Sequence, residues 1–391
     1  MAPRGCGATG TGGDDMRLQL NGAMILQDGQ MQRADIGVEA GVFAQTGGKA
    51  VDLRGYHILP GMIDIHGDGF ERHIAPRRGA MRDMSVGVLS TEAELAANGF
   101  TTAVLAQFYS WEGGMRGPEA AERFCTALAA TRSSCDTDLR LQLRFEMNLL
   151  DHYAAFEAFA DAVGCDYVVF NDHLPHDKLA AGKRPPRLVG TALKSGRNPE
   201  VHLQMMQELH ARRAEVPAAV EALAARLGAK GYRLGSHDER TAEGRARWRD
   251  MGVRIAEFPE TFEAAEAARA GGDGIILGAP NVMRGGSHSG NVSALDLIRA
   301  GLCDALASDY HYPAARVAAL QLAEEIGIAR AWDLVSAGPA RLLGLTDRGA
   351  IAEGLRADFV VLDPRSGRLG ATFAGGRATY MSGEVAARFI A

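Results

Sequence analysis

Between Pro60 and Leu345 the chain repeats one alternation, a short run of β-type residues followed by a longer Ala-rich stretch of helical character. The β-type runs are ILPGMIDIH, TTAVLAQ, LRLQLRFE, DYVVFND, YRLGSHD, VRIAEF, GIILGAP and LCDALASD. Segments such as FEAAEAARA before Gly271 and AALQLAEEIGIARAWDLV after Val317 carry the helical pattern between them. Strands joined through crossover helices pair in parallel, and a parallel sheet must be covered on both faces. Eight such runs predict an α/β protein built on a closed (β/α)8 TIM-like barrel.

A barrel of this kind takes roughly 250 residues, and the chain has 391. The excess lies at the two ends. From Met16 to Leu59, LQLNGAMILQDGQMQRADIGVEAG and its surroundings alternate apolar and polar residues between turn signals, the pattern of hairpins. The same texture returns after Leu345 in GAIAEGLRADFVVLDPRSGRLGATFAGGRATYMSGE. Residues 16–59 and 346–391 are therefore expected to form one small discontinuous β-sandwich domain beside a barrel spanning 60–345. The start, MAPRGCGATGTGGDD, is Gly-rich and lacks the apolar core of a signal peptide, so 1–15 reads as a disordered leader.

Composition narrows the partners. No apolar run reaches the ~18 residues that span a bilayer, and a net charge of −6 gives no reason to expect nonspecific nucleic-acid binding, local basic patches aside. A small-molecule substrate is expected instead, with homo-oligomerisation left open. Of 42 basic residues only five are lysines, so anion recognition falls largely on Arg, whose planar fork suits phosphate. Cys6, Cys125, Cys135, Cys165 and Cys303 are scattered and odd in number, which points to a reducing cytoplasm and not to a disulfide framework.

The chemistry-bearing residues gather where strands end. His66 and Asp68 stand two apart at the close of the first run, and residues i and i+2 of a strand share a face. Both are expected to turn into the barrel mouth and grip one cation. Glu146 closes LRLQLRFE, His173 follows DYVVFND, His237 follows YRLGS and Asp309 follows LCDALAS. Packing inside a barrel favours aliphatic side chains, so this recurrence predicts a divalent metal site. Its expected ligands are His66, Asp68, Glu146, His173, His237 and Asp309. Zinc is the first expectation, with manganese or iron as alternatives and either one or two ions. His176 and Asp238 are expected to orient ligands, while His57, His152, His202 and His210 read as surface or packing residues.

With these features the chain resembles the amidohydrolase superfamily: a strand-one pair after LPG, later histidines, a last-strand Asp and the return segment ADFVVLD. Common members bridge two metals through a carboxylated Lys on the fourth strand. No Lys occurs between Lys49 and Lys178, which excludes that bridge in this part of the barrel and makes Glu146 its natural substitute. The resemblance implies that Asp309 orients and deprotonates the attacking water.

A polar loop from Gly285 through Ser287 and His288 to Asn291 leads into a helix expected near Val292. Its amides and the helix terminus offer an anion site beyond strand seven, to which Arg284 could add a bidentate contact. LPGMIDIHGDGFERHIAPR, FNDHLP, GSHDE, the run from FPETFEAA to GAPNVMRGGSHSGN, and SDYHYPA are similar to the alpha-D-ribose 1-methylphosphonate 5-triphosphate diphosphatases of the carbon-phosphorus lyase pathway. The similarity covers essentially the whole chain after the leader. It implies cleavage of a 5-triphosphate to a 5-phosphate plus pyrophosphate, with Arg72, Arg77, Arg284, Ser287, His288 and Asn291 contacting phosphates. Two departures, GDGFERH after the first ligand and the added His311 in SDYHYPA, bear on the exact substrate. Other readings are an amidohydrolase acting on C–N bonds, such as an amino-sugar deacetylase or cyclic amide hydrolase, and a catalytically silent barrel that binds a phosphorylated ligand.

Overall fold

The computed structural model describes residues 17–46, 48–76, 83–285 and 291–391. The expected leader, and with it Arg77, Ser287 and His288, lies outside the described residues. The chain opens with β1 (Leu18–Gln27), β2 (Gln30–Glu39), β3 (Val42–Ala44), β4 (Lys49–Asp52) and β5 (His57–Pro60). The barrel strands follow as β6 (Met62–Gly67), β7 (Phe100–Tyr109), β8 (Asp138–Glu146), β9 (Tyr167–Asn171), β10 (Arg233–His237), β11 (Ile255–Glu257), β12 (Gly274–Gly278) and β13 (Ala305–Ala307). Last come β14 (Phe359–Leu362), β15 (Leu369–Ala374) and β16 (Arg377–Met381). Each of the eight runs read from the sequence overlaps one of the strands β6 to β13, and these pair in chain order, in parallel. Their burial on both faces explains why the runs are nearly continuous in apolar residues. No helix among the described residues is long and apolar enough to cross a membrane.

The terminal segments meet in a separate mixed sheet of order β16-β15-β14-β5-β1-β2-β3, with β4 also on β1. The hydrogen-bonded path is continuous and folds back on itself, so that the ring of Phe43 in β3 lies 6.0 Å from that of Phe359 in β14. The continuity comes from β1, which is long and bulged between Leu20 and Ala23. It pairs with β4 along Leu18–Asn21 and with β5 at Met24 and Ile25. Pro60 still belongs to this sheet, opposite Phe359, so the barrel proper begins after Gly61. Phe359 stacks on Phe373 at 4.5 Å, and Phe373 packs on Phe389 of the helix Gly383–Ile390, giving this sheet a core of its own.

The seam between the last and first barrel strands positions the site. At its lower end β6 and β13 are bridged by another segment: Ile63 N–H donates to the Val335 carbonyl and Leu306 N–H to that of Leu334. At its upper end the strands meet directly, Asp309 N–H donating to His66 O (3.0 Å) and Asp68 N–H to Asp309 O (2.9 Å). Between these points the buried Asp64 carboxylate accepts from Ser308 N–H (2.9 Å) and Ser308 Oγ (2.5 Å). Gly67 is required here, because a Cβ would sit 3.0 Å from both Ser308 Oγ and Tyr312 Cε1. Ile63 and Ile65 point into the barrel interior with Val104, Tyr167, Val169 and Ile276. Strict alternation would then turn His66 outward. The ladder to β7 is irregular between Asp64 and Gly67, and His66 reaches the interior across that irregularity.

Helix caps set the remaining strands at fixed heights. After β11, Thr261 Oγ1 accepts from Ala264 N–H at 3.1 Å and donates to the Arg240 carbonyl at 2.7 Å, starting the helix Phe262–Ala270. Thr261→Ala is expected to cost about 1 kcal/mol of stability, the usual value of a lost N-cap. Urea denaturation measures it, and an unchanged midpoint would contradict the assignment.

Candidate metal centre

Six expected ligands sit around one mouth of the barrel, each fixed by a strand end. His66 is fully buried, with Nδ1 2.8 Å from Glu257 Oε2. Glu146, also fully buried, places Oε1 2.5 Å from His173 Nδ1. Its Oε2 accepts from Trp111 Nε1 at 3.0 Å and from the His173 amide at 3.2 Å. His237 Nδ1 lies 2.9 Å from Asp238 Oδ2, so Asp238 directly touches an expected ligand. Asp68 and Asp309 line the open side of the mouth.

Three residues absent from the expected set join them. Glu257, at the end of β11, forms a buried group with His66 and His237 whose donor atoms all lie within 4.8 Å of one another. Its Oε1 accepts from Tyr167 Oη (2.5 Å) and Gln142 Nε2 (2.8 Å), a polar network across the barrel interior. Burial would raise the Glu257 carboxyl, but the neighbouring His66 imidazole and the Tyr167 hydrogen bond outweigh it and lower it to about 2. Glu112 forms a second group with Glu146 and His173. Arg144 stands between Asp68 (3.3 Å) and His237 Nε2 (3.0 Å), its guanidinium 3.9 Å over the Phe108 ring. Arg144 and Glu257 follow the rule that selected Glu146, an inward position at or near the end of a strand.

His176 is placed differently from its expected orienting role. It starts a short helix after Pro175, and its ring is taken up by Asp172 (3.0 Å) and His210 Nδ1 (2.8 Å), with no contact to an expected ligand. Of the expected anion-binding residues, Arg72 donates to Tyr310 O at 2.9 Å and pairs with Glu94. Arg284 donates to Tyr310 Oη at 2.6 Å, and Asn291 to Glu260 Oε1 at 2.7 Å. The helix expected near Val292 begins at Ala294.

The residues fit a cation. Both nitrogens of His66, Nδ1 of His173 and of His237, Oε1 of Glu146 and Oε2 of Glu257 are buried without a hydrogen-bond partner. Several of these atoms are at contact distance from one another but out of hydrogen-bond alignment, as donors converging on a shared ion would be. Burying polar atoms without partners is costly, and coordination by nitrogen and carboxylate oxygen would satisfy them. Occupation of His237 Nε2 would require Arg144 to give up its bond to that atom.

Protonation gives the fit a measurable consequence. Burial opposes the charge on His173, but Glu146 and Glu112 outweigh it and raise the imidazole to about 10. At His66 burial is likewise outweighed, by Glu257, and the shift is upward. An imidazole must be neutral to coordinate, so cation binding near neutral pH releases protons. Calorimetric titration in buffers of differing ionisation enthalpy is expected to show this release, with affinity rising about tenfold per pH unit for each proton displaced. A pH-independent affinity would contradict it.

Backbone strain concentrates in the same place. Among the described residues, positive φ at non-glycine positions occurs at Asp28, Ala40, Asp238 (63°), Phe258 (54°) and Asp309 (56°). The last three line the mouth. Such conformations cost about 1–3 kcal/mol each and persist at sites where the surroundings hold them.

A parallel (β/α)8 barrel with His and carboxylate groups converging at the strand C-termini is an architecture suited to holding a divalent cation. Residues 88–387 match the Amidohydrolase family, and the chain belongs to that family. It is 33% identical over 354 residues to the alpha-D-ribose 1-methylphosphonate 5-triphosphate diphosphatase of Escherichia coli (strain K12), covering 88% of this chain and 91% of that protein. Among solved structures, a Xaa-Pro dipeptidase with bound methionine aligns over 94% of this chain and 100% of its own at 14% identity and a TM-score of 0.63. The N-isopropylammelide isopropylaminohydrolase of Burkholderia multivorans aligns over 93% and 98% at 16% identity and a TM-score of 0.60. These two likenesses speak to the fold alone.

Proposed function

We propose that this chain hydrolyses a phosphoanhydride, cleaving ribose 1-methylphosphonate 5-triphosphate to the 5-phosphate and pyrophosphate with a bound divalent cation, zinc foremost. The observation that carries this reading is a cleft of about 430 Å³ in which Arg116, Arg144 and Arg284 face the same space as Asp68, His173, His237 and Asp309. A triphosphate brings several negative charges to such guanidinium groups, more than an amide substrate carries even when it bears a carboxylate. The named activity of the Escherichia coli relative supports the same substrate.

When bound, the cation would supply Lewis acidity, which lowers the pKa of water toward neutrality. The rest of the chemistry falls to the side chains. Burial and the neighbouring Asp68 raise the Asp309 carboxyl to about 6, close enough to neutrality for a group that accepts a proton from water during attack. Arg144, held over the Phe108 ring beside Asp68, and Arg284, bonded to Tyr310, present positive charge to the phosphoryl oxygens on which charge builds. Phosphoryl transfer depends mainly on such positioning and electrostatics.

A pyrophosphate-release assay tests the reading. Protein reconstituted with zinc or manganese is expected to release pyrophosphate from the triphosphate, and chelator-treated protein to lose that activity. Equal rates with and without metal, or turnover of N-acetylated sugars in place of the triphosphate, would overturn it.

A further inference from the structure

The mouth opens into two arms. The narrower is the 430 Å³ cleft described above; the broader, about 1010 Å³, runs toward the turn at Glu112–Arg116 and the helix Leu188–Lys194. Asp68 and Asp309 line both. A bond broken beside Asp309 therefore lies at the junction, with one part of the substrate in each arm.

Both arms are cationic, but their cations differ in availability. In the broader arm Arg72 is engaged by Glu94, and Arg116 by Glu71 (3.5 Å) and Glu112 (3.1 Å). Arg187 and Lys194 line it as well, are exposed, and make no ion pair with any described residue. They stand seven positions apart, with Thr191 between them also lining the arm. Spacings of four and seven put residues on one helix face, here about 10 Å apart from first to last. Arg187, the N-cap of this helix, and Lys194, its last residue, thus present two positive charges, unpaired with any described residue, to a cleft that begins at the candidate base.

Resting on the phosphoanhydride reading above, we infer that the broader arm is a second anion subsite, built by Arg187 and Lys194 for a negatively charged substituent on the carbon skeleton of the substrate. The two ends of the substrate are sorted by size. A pyrophosphate leaving group is compact and fully polar, which suits the narrower arm and its guanidinium groups. A sugar carrying its own anion needs more room and some apolar surface, and the broader arm supplies both, with Ala75, Met115 and Leu193 in its walls. The enzyme selects substrates that are anionic on both sides of the cleaved bond.

The test uses the full-length, metal-loaded protein and an Arg187→Ala/Lys194→Ala double variant. Two substrates are compared, ribose 1-methylphosphonate 5-triphosphate and ribose 5-triphosphate, which lacks the second anion. The ratio of their kcat/KM values is expected to fall about tenfold or more in the variant, the scale of losing charge-assisted contacts. An unchanged ratio overturns the subsite. Calorimetric binding of ribose 1-methylphosphonate, which carries no phosphate to cleave, gives a readout independent of hydrolysis. A tenfold weaker affinity in the variant supports the subsite, whereas equal affinity, or no binding by the unaltered protein, overturns it. If neither triphosphate is hydrolysed, the phosphoanhydride reading fails, and this binding measurement alone decides the subsite.

Discussion

Asp309→Asn is expected to lower kcat by about 10²- to 10⁴-fold, the range for removing a positioned general base. The substitution keeps the shape of the side chain, and the backbone bonds that hold position 309 to His66 and Asp68 run through main-chain atoms. The seam of the barrel should therefore survive. Asparagine also tolerates the left-handed conformation at this position, where φ is 56°. Under the proposed mechanism Asp309 acts on the attacking water and not on the phosphates, so the loss should appear in kcat with little change in KM. Metal content, measured by elemental analysis, separates a lost base from a lost ligand. Near-normal turnover with metal retained would remove Asp309 from the role of base.

Glu257→Gln is expected to weaken metal affinity by about 10- to 100-fold, the usual cost of disturbing a group that orients a coordinating histidine. Glu257 is fully buried, accepts from Tyr167 and Gln142 through one oxygen, and faces His66 Nδ1 with the other. A glutamine has one acceptor oxygen and one donor nitrogen, so it cannot satisfy Tyr167 and Gln142 while presenting an acceptor to His66. It also removes the negative charge that offsets a cation in the barrel interior. Competition against a chromophoric chelator measures the effect, with a thermal melt to confirm folding. Unchanged affinity would mean that Glu257 neither binds nor supports the ion.

Much of this arrangement was legible in the sequence because a buried parallel strand leaves a plain signal, and because a polar residue at its end departs from that signal. Glu146, His173, His237 and Asp309 were found in this way. Glu257 and Arg144 obey the same rule, yet each stands inside its run and not at its end, Arg144 before Phe145 and Glu146 in LRLQLRFE and Glu257 before Phe258 in VRIAEF. The seam was not legible. That His66 turns inward depends on an irregular ladder between Asp64 and Gly67, and that Asp64 fastens Ser308 depends on a partner 244 positions away. Neither follows from local periodicity. His176 shows the reverse case, since its closeness in sequence to His173 suggested support for that residue, but the helix that begins at His176 turns it toward Asp172 and His210. The pairing of the terminal segments into one sheet was foreseen from their shared texture, whereas its continuity rests on the length and bulge of β1.

The central claim is that water attacks phosphorus at this mouth. Hydrolysis of ribose 1-methylphosphonate 5-triphosphate by the metal-loaded protein in ¹⁸O-enriched water, followed by phosphorus NMR, tests it most directly. The account predicts two products, the 5-phosphate and pyrophosphate, with the isotope shift on one of the two phosphorus atoms of the cleaved anhydride. An unreacted triphosphate, or inorganic phosphate released without pyrophosphate, would contradict it.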